Sequence, residues 1–210
     1  MSFIKGEFEI KKFIKNYLSL FVLFLTILTM KSFELKANDI LKSDSVFLKA
    51  YYALDEPRFL CVDIPGHKAR VNISRSLTVH TCKEGIWHQD ELFDVTAISQ
   101  GLLKMTAYNL CVEAISLMNN TELVLKSCNQ TNMQNWLYRD YRLILKSDMK
   151  KCLTIGSEPS RLTRGGQRLK SKHVARSLVI TDCSEQAFTR QMWRFEVPQE
   201  RTGSIMPFKK

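Results

Sequence analysis

The stretch Cys128–Tyr138, CNQTNMQNWLY, is written again as CSEQAFTRQMWRF at Cys183–Phe195 and, more loosely, as CKEGIWHQDELF at Cys82–Phe93. Each holds a Cys, a Gln six to eight residues later, and then an aromatic or apolar cluster. Self-similarity of this kind marks a repeat architecture, in which no unit buries its own apolar face alone. Working outward, each stretch is preceded by a second Cys in a short alternating run: FLCVDI before SLTVHTC, NLCVEA before ELVLKSC, and KCLTIG before SLVITDC. The first cysteines are 50 and 41 residues apart. This divides a domain at 45–198 into repeats near 45–100, 101–140 and 141–198.

Runs such as LTVHT and LVLKS alternate apolar and polar residues, the period of a half-buried strand. The pattern predicts twelve short strands, beginning near Phe47, Leu60, Leu77, Glu91, Leu102, Leu110, Glu122, Asn135, Arg142, Cys152, Ser177 and Met192. No amphipathic helical period appears after residue 40. Four strands per repeat, three times over, imply an all-β, closed threefold architecture.

The N-terminus reads as an export signal. MSFIKGEFEIKKFIKN is a basic leader, Tyr17–Met30 is an apolar core, and Ala37 offers a small residue for cleavage. That core rises about 21 Å as a helix, short of the roughly 30 Å hydrocarbon thickness of a bilayer. Residues 1–37 are therefore expected to be a signal peptide, and the protein to be secreted or periplasmic. An uncleaved leader would instead anchor it to a membrane, and Leu35 is a poor small residue for the cut. The formal charge is +10 over the 210 residues, and loss of six Lys and three Glu with the leader leaves +7. Anionic partners follow from that balance. Residues 199–210 read as a flexible tail.

Export turns the six cysteines into a disulfide question. The repeat suggests the simplest pairing, within each unit: Cys61–Cys82, Cys111–Cys128 and Cys152–Cys183. Each bridge would stabilise by about 3 kcal/mol on a chain-entropy argument.

The paired cysteines and the terminal Gln resemble the ricin-type β-trefoil, whose repeats end in a Gln-x-Trp signature. Gln134-x-Trp136 and Gln191-x-Trp193 match it, whereas Gln89-x-Glu91 departs at the Trp position. The resemblance implies a β-trefoil and a lectin. The signature itself reads as structural, since a buried indole supplies apolar surface and a buried Gln must satisfy both ends of its amide.

In sugar-binding members the resemblance places an Asp two after the first Cys. An aromatic residue stands two before the second Cys, and an Asn or similar group stands beside the signature Gln. The carboxylate accepts hydrogen bonds from vicinal hydroxyls, and the ring covers the C–H face of the sugar. The first repeat supplies Asp63, His80, His88 and Gln89, with Thr78 at a position often polar in such sites. His80 is a smaller ring than Trp or Tyr, and as a platform it would make binding pH-dependent. The second repeat offers Glu113, Lys126 and Met133, and the third Thr154, Thr181 and Arg190, so one sugar site is expected. The competing reading is structural, with Asp63 fastening a turn.

A second candidate is Ser157–Ser177, which lengthens the third repeat and carries Arg161, Arg164, Arg168, Lys170, Lys172 and Arg176 against Glu158 alone. It reads either as a polyanion-binding loop or as a solvated flexible loop with Gly165-Gly166 at a hairpin tip.

An enzyme is not expected, because no Gly-rich phosphate loop, Gly-x-Ser-x-Gly or His-Glu-x-x-His motif is present. His80, Cys82 and His88 imitate zinc spacing, but a disulfide accounts for all six cysteines together, so no metal and no cofactor are expected. Glycans, anionic polysaccharide and a secreted catalytic partner are the candidate partners, and nucleic acid is not. Two function classes stand: a lectin, or a protein-interaction subunit of a secreted complex. Ricin-type trefoils serve the latter role in the non-catalytic subunits of cytolethal distending toxins.

Overall fold

The computed structural model describes residues 44–66, 70–84 and 89–198; the leader at 1–37, His88 and the tail at 199–210 lie outside them. The first repeat contributes β1 (Ser45–Ala50), β2 (Leu60–Asp63), β3 (Thr78–Thr81) and β4 (Leu92–Asp94). The second contributes β5 (Lys104–Met105), β6 (Leu110–Ala114), β7 (Thr121–Ser127) and β8 (Trp136–Arg139). The third contributes β9 (Arg142–Leu145), β10 (Lys151–Ile155), β11 (Arg161–Leu162), β12 (Val174–Asp182) and β13 (Trp193–Glu196). Twelve of these begin within three residues of the expected positions, and β11 is an addition in the long third repeat.

The pairing closes a ring. The last strand of each repeat pairs with the first strand of the next: Phe93 opposite Met105, Trp136 opposite Leu145, and Trp193 opposite Ala50. Within each repeat the first strand also pairs with the Cys-bearing second strand, at Lys49–Cys61, Lys104–Cys111 and Ile144–Cys152. Ring closure removes the free edges that an open sheet would expose. One core results, in which Leu48, Val62, Leu103, Val112, Leu145 and Leu153 surround Phe93, Trp136 and Trp193.

All three disulfides form within their repeats, Cys61–Cys82, Cys111–Cys128 and Cys152–Cys183, each with Cα atoms 5.0 Å apart. Each ties the second strand of a hairpin to the residue just beyond the third, which fixes the hairpin before the signature segment turns back to the core.

Among the described residues three short α-helices interrupt the strands: α1 (Val95–Ser99), α2 (Arg164–Arg168) and α3 (Phe188–Gln191). α2 corrects the hairpin-tip reading of Gly165-Gly166. Thr163 caps it by accepting from the Gly166 N–H at 2.9 Å, and a Cβ on Gly166 would meet the His173 carbonyl oxygen at 2.0 Å. The insertion is thus folded back on itself, with β11 paired to the start of β12. That start also pairs with β3 of the first repeat, Ala175 opposite His80.

Candidate functional site

The signature glutamines share one set of hydrogen bonds. Gln134 Oε1 accepts from the N–H of Asn129, just after Cys128, at 3.0 Å. Its Nε2 donates to Ser127 O at 2.9 Å and to Glu113 Oε2 at 2.8 Å. Gln191 Oε1 accepts from the N–H of Ser184, just after Cys183, at 3.0 Å. Its Nε2 donates to Asp182 O at 2.9 Å and to the hydroxyls of Thr181 and Thr154 at 3.0 and 3.1 Å. Trp136 and Trp193 place their Nε1–H on the carbonyls of Val112 and Leu153, at 3.4 and 3.0 Å.

In the first repeat the residue in this role is Glu91. Its Oε2 accepts from the N–H of Lys83, just after Cys82, at 2.8 Å. The counterpart of the two indoles is the fully buried Phe93. The signature there reads Glu91-x-Phe93, which corrects the alignment on Gln89. Gln89 is exposed and opens a single 3-10 turn, Gln89–Glu91. The residue beside the signature is consequently Asp90, not His88. The distance from Cys to signature residue is six, eight and nine residues in repeats two, three and one, so a Gln at seven drew the alignment off register. The signal that could have found the right one is Phe93, the only aromatic residue near the end of the run.

Replacing the signature Gln by Glu removes a donor, and two other side chains compensate. His80 Nδ1 lies 2.7 Å from Thr81 O, the carbonyl equivalent to those that Gln134 and Gln191 serve. A carbonyl accepts only, so the Nδ1–H tautomer is fixed. Lys83 turns its ammonium inward and donates to Asp63 Oδ1 at 2.6 Å and to Asp90 Oδ2 at 2.8 Å, with Glu91 Oε1 3.7 Å away. Glu91 Oε1 is also 3.6 Å from His80 Nδ1. Three carboxyls, one ammonium and one imidazole are therefore packed into a site where Asp63 is 3% exposed and Asp90 and Glu91 are wholly covered.

The electrostatics follow from that crowding. Burial, only partly offset by Lys83 and His80, pushes the Asp63 carboxyl up to about 7. Burial likewise pushes Glu91 up to about 8 against the pull of Lys83. Burial disfavours the Lys83 ammonium too, but Asp63, Glu91 and Asp90 outweigh it and hold its pKa above the ordinary lysine value. Oδ1 of Asp90 and Oε1 of Glu91 find no hydrogen-bond partner among the described residues.

His80 is not an open platform. Its side chain is 12% exposed, and the ring of His173, from the third-repeat insertion, packs edge-on against it at 5.1 Å. Burial lowers the pKa of His80, with Asp63 opposing. His173 falls to about 4 through burial and the neighbouring His80. Thr78 is half-buried and lines a groove of about 910 Å³ between the first repeat and the insertion. The structure brings Asp63 and His80 together, sets Thr78 at the edge of that groove, and leaves Gln89 exposed and apart from the signature role.

Of the six basic residues of the insertion, Arg161, Arg164, Arg168, Lys170 and Lys172 are exposed. Arg176 is buried: it donates to Asp55 Oδ1 at 3.1 Å and to Gly156 O at 2.5 Å. It is therefore a fastening of the insertion, not part of a free basic surface.

A closed threefold ring with a buried Gln- or Glu-x-aromatic signature in each repeat defines a β-trefoil. The sequence profile of the ricin-type beta-trefoil lectin domain matches residues 55–164, more than half of the chain, and the chain belongs to that family. Among solved structures it is similar to ThreeFoil, a designed 3-fold symmetric protein, with a TM-score of 0.54 and 10% identity over 73% of this chain and 99% of that one. It is similar to the mdaA-1 domain, with a TM-score of 0.52 and 11% identity over 73% and 90%. The beta-trefoil lectin of the Vibrio vulnificus hemolysin/cytolysin, solved with N-acetyl-D-lactosamine bound, gives a TM-score of 0.50 and 15% identity over 74% and 96%. At these identities the likeness is one of fold. A sequence comparison with curated proteins gives no match.

Proposed function

We propose that the chain is a secreted, non-enzymatic carbohydrate-binding module with one sugar site in the first repeat. Family membership supports the binding class. The observation that carries the site is the diagonal placement of Asp63 on β2 and His80 on β3, with Thr78 opposite Asp63 and Cys61 opposite His80, a combination that neither other repeat can build. In the closed arrangement the Lys83 ammonium holds Asp63 and Asp90 by two short hydrogen bonds. Vicinal hydroxyls would make the same two bonds. Sugar therefore enters by exchange with Lys83, with Thr78 standing opposite Asp63 on β3. Exchange against an internal ligand keeps single-site affinity low, and useful binding comes from multivalent display.

The test is a glycan-array screen of the secreted full chain beside Asp63→Asn, at about pH 5.5 and about pH 7.5 to bracket imidazole titration. A defined neutral-glycan signal that disappears in Asp63→Asn, with unfolding unchanged, supports the site. Silence from folded wild-type protein sinks it.

One observation favours a second reading, a protein-interaction subunit of a secreted complex in which the sugar sites have decayed. Lys83 fills the first-repeat pocket, and His173 covers His80. Under that reading Asp63→Asn leaves capture of a secreted catalytic partner intact.

A further inference from the structure

The groove beside Thr78 carries an inference that is separate from the Asp63 pocket. One wall is the turn at 74–77 leading into β3, and the other is β11 with the start of β12. Arg75 stands on the first wall and Arg161 on the second, both exposed and without an ion-pair partner among the described residues. Arg176 lies in the lining between them. Both of its terminal nitrogens are spent on Asp55 and Gly156, while its buried Nε–H has no acceptor among the described residues. Among the described residues Glu122 is the one acid in the lining, and its Oε2 is taken by the Ser76 hydroxyl.

We propose that this groove binds an anionic saccharide, one whose sulfate or carboxylate sits between Arg75 and Arg161 while its hydroxyls meet Thr78 and Gln167. The charge argument is direct. Two unpaired guanidiniums on facing walls offer fork-shaped donors suited to planar or tetrahedral oxyanions, and a concave site strengthens their field over that of a flat surface. The saccharide half follows from the Thr78 hydroxyl and the Gln167 amide, which share the lining with the arginines. That half rests on the carbohydrate-binding reading, whereas the anion half does not. The fold of the insertion is what makes the site. The β11–β12 pairing sets Arg161 opposite Ala175, in register with His80 across the adjoining β3.

The experiment is titration calorimetry of the full chain with a sulfated disaccharide, its desulfated counterpart, the matching uronate disaccharide and inorganic sulfate. Arg75→Gln/Arg161→Gln is compared with Arg164→Gln/Arg168→Gln, which removes two exposed charges outside the groove. The sulfated or the uronate disaccharide is expected to bind at least tenfold tighter than the desulfated one and than sulfate alone, and which of the two wins identifies the anion. The groove variant is expected to lose at least tenfold of that affinity, and the control less than twofold. Equal loss in both variants means diffuse electrostatic attraction and overturns the site. Sulfate binding as tightly as the disaccharide overturns the saccharide half. Absence of any anion binding overturns both. Because Asp63 is untouched, a neutral-glycan signal on the array survives the groove variant, so failure here is distinguishable from failure of the first-repeat site.

Discussion

Repeats one and three solve the same packing problem with different chemistry. In repeat three, Gln191 is held by two threonine hydroxyls and two backbone groups, all neutral. In repeat one, Glu91 occupies the same place among Lys83, Asp63, Asp90 and His80. The neutral version satisfies the signature amide completely. The charged version leaves two carboxylate oxygens without a hydrogen-bond partner among the described residues. Buried ion clusters rarely add stability over neutral packing, yet breaking one by removing a single member is costly. A trefoil can therefore tolerate either solution, but only the charged one makes its stability depend on pH and leaves polar groups a ligand could claim.

The sharpest break is Lys83→Met. It strands three buried carboxyls and should cost about 3–5 kcal/mol, read as a lower urea midpoint. The loss should be largest above about pH 8 and shrink toward about pH 5, because Asp63 and Glu91, with pKa values of about 7 and 8, then take up protons and no longer need the ammonium. An equal loss at both pH values would show that the charges are not the cause.

Next comes Trp193→Phe, which gives repeat three the aromatic residue of repeat one. It removes the Nε1–H bond to Leu153 O and part of the ring, and should cost about 1–3 kcal/mol. That is less than the roughly 3–5 kcal/mol expected for Trp193→Ala, since Phe93 demonstrates that a phenyl fits the ring.

Glu91→Gln converts repeat one to the neutral scheme. The new amide keeps the Lys83 N–H bond and gains a donor toward Asp63, as Gln134 has toward Glu113. A gain of about 1–2 kcal/mol at alkaline pH is expected, or roughly 2–4 °C in Tm per kcal/mol. The pH profile gives the sign. Asp63 and Glu91 have pKa values raised above their unfolded ones, so the stability they supply is complete below about pH 4 and is lost as pH climbs through about 7 to 8. His80 and His173 are lowered, so theirs is complete above about pH 6.5 and is lost as pH falls, for His173 through about 4. Wild-type protein should be most stable between these limbs. Glu91→Gln should flatten the alkaline limb and leave the acid limb in place.

The smallest effect belongs to Thr154→Val. Gln191 Nε2 keeps Thr181 and Asp182 O, so the loss should stay near about 0.5–1.5 kcal/mol and be independent of pH.

The strands, the three disulfides and the repeat order were legible in the sequence because each is written locally. A period-2 run declares a strand, and matching cysteines thirty or so residues apart or closer declare a bridge within a unit. The site was legible only in part. Asp63 and His80 lie at fixed offsets from cysteines in regular strands, so counting from Cys61 and Cys82 reaches two neighbouring strands, β2 and β3. Glu91 and Asp90 follow a loop whose length differs in every repeat, and there counting failed. Lys83 gave no sign of its role, because a lysine after a cysteine ordinarily points into water. Its inward turn is decided by three carboxyls that arrive from β2 and from the 3-10 turn. The burial of Arg176 and the covering of His80 by His173 likewise depend on β12 lying against β3, a pairing between residues almost a hundred positions apart. The sequence by itself determined the threefold ring, since that follows from local periodicity. Whether its first-repeat pocket is open or filled was settled only by tertiary structure, because buried charge is governed by the sum of neighbours from distant segments.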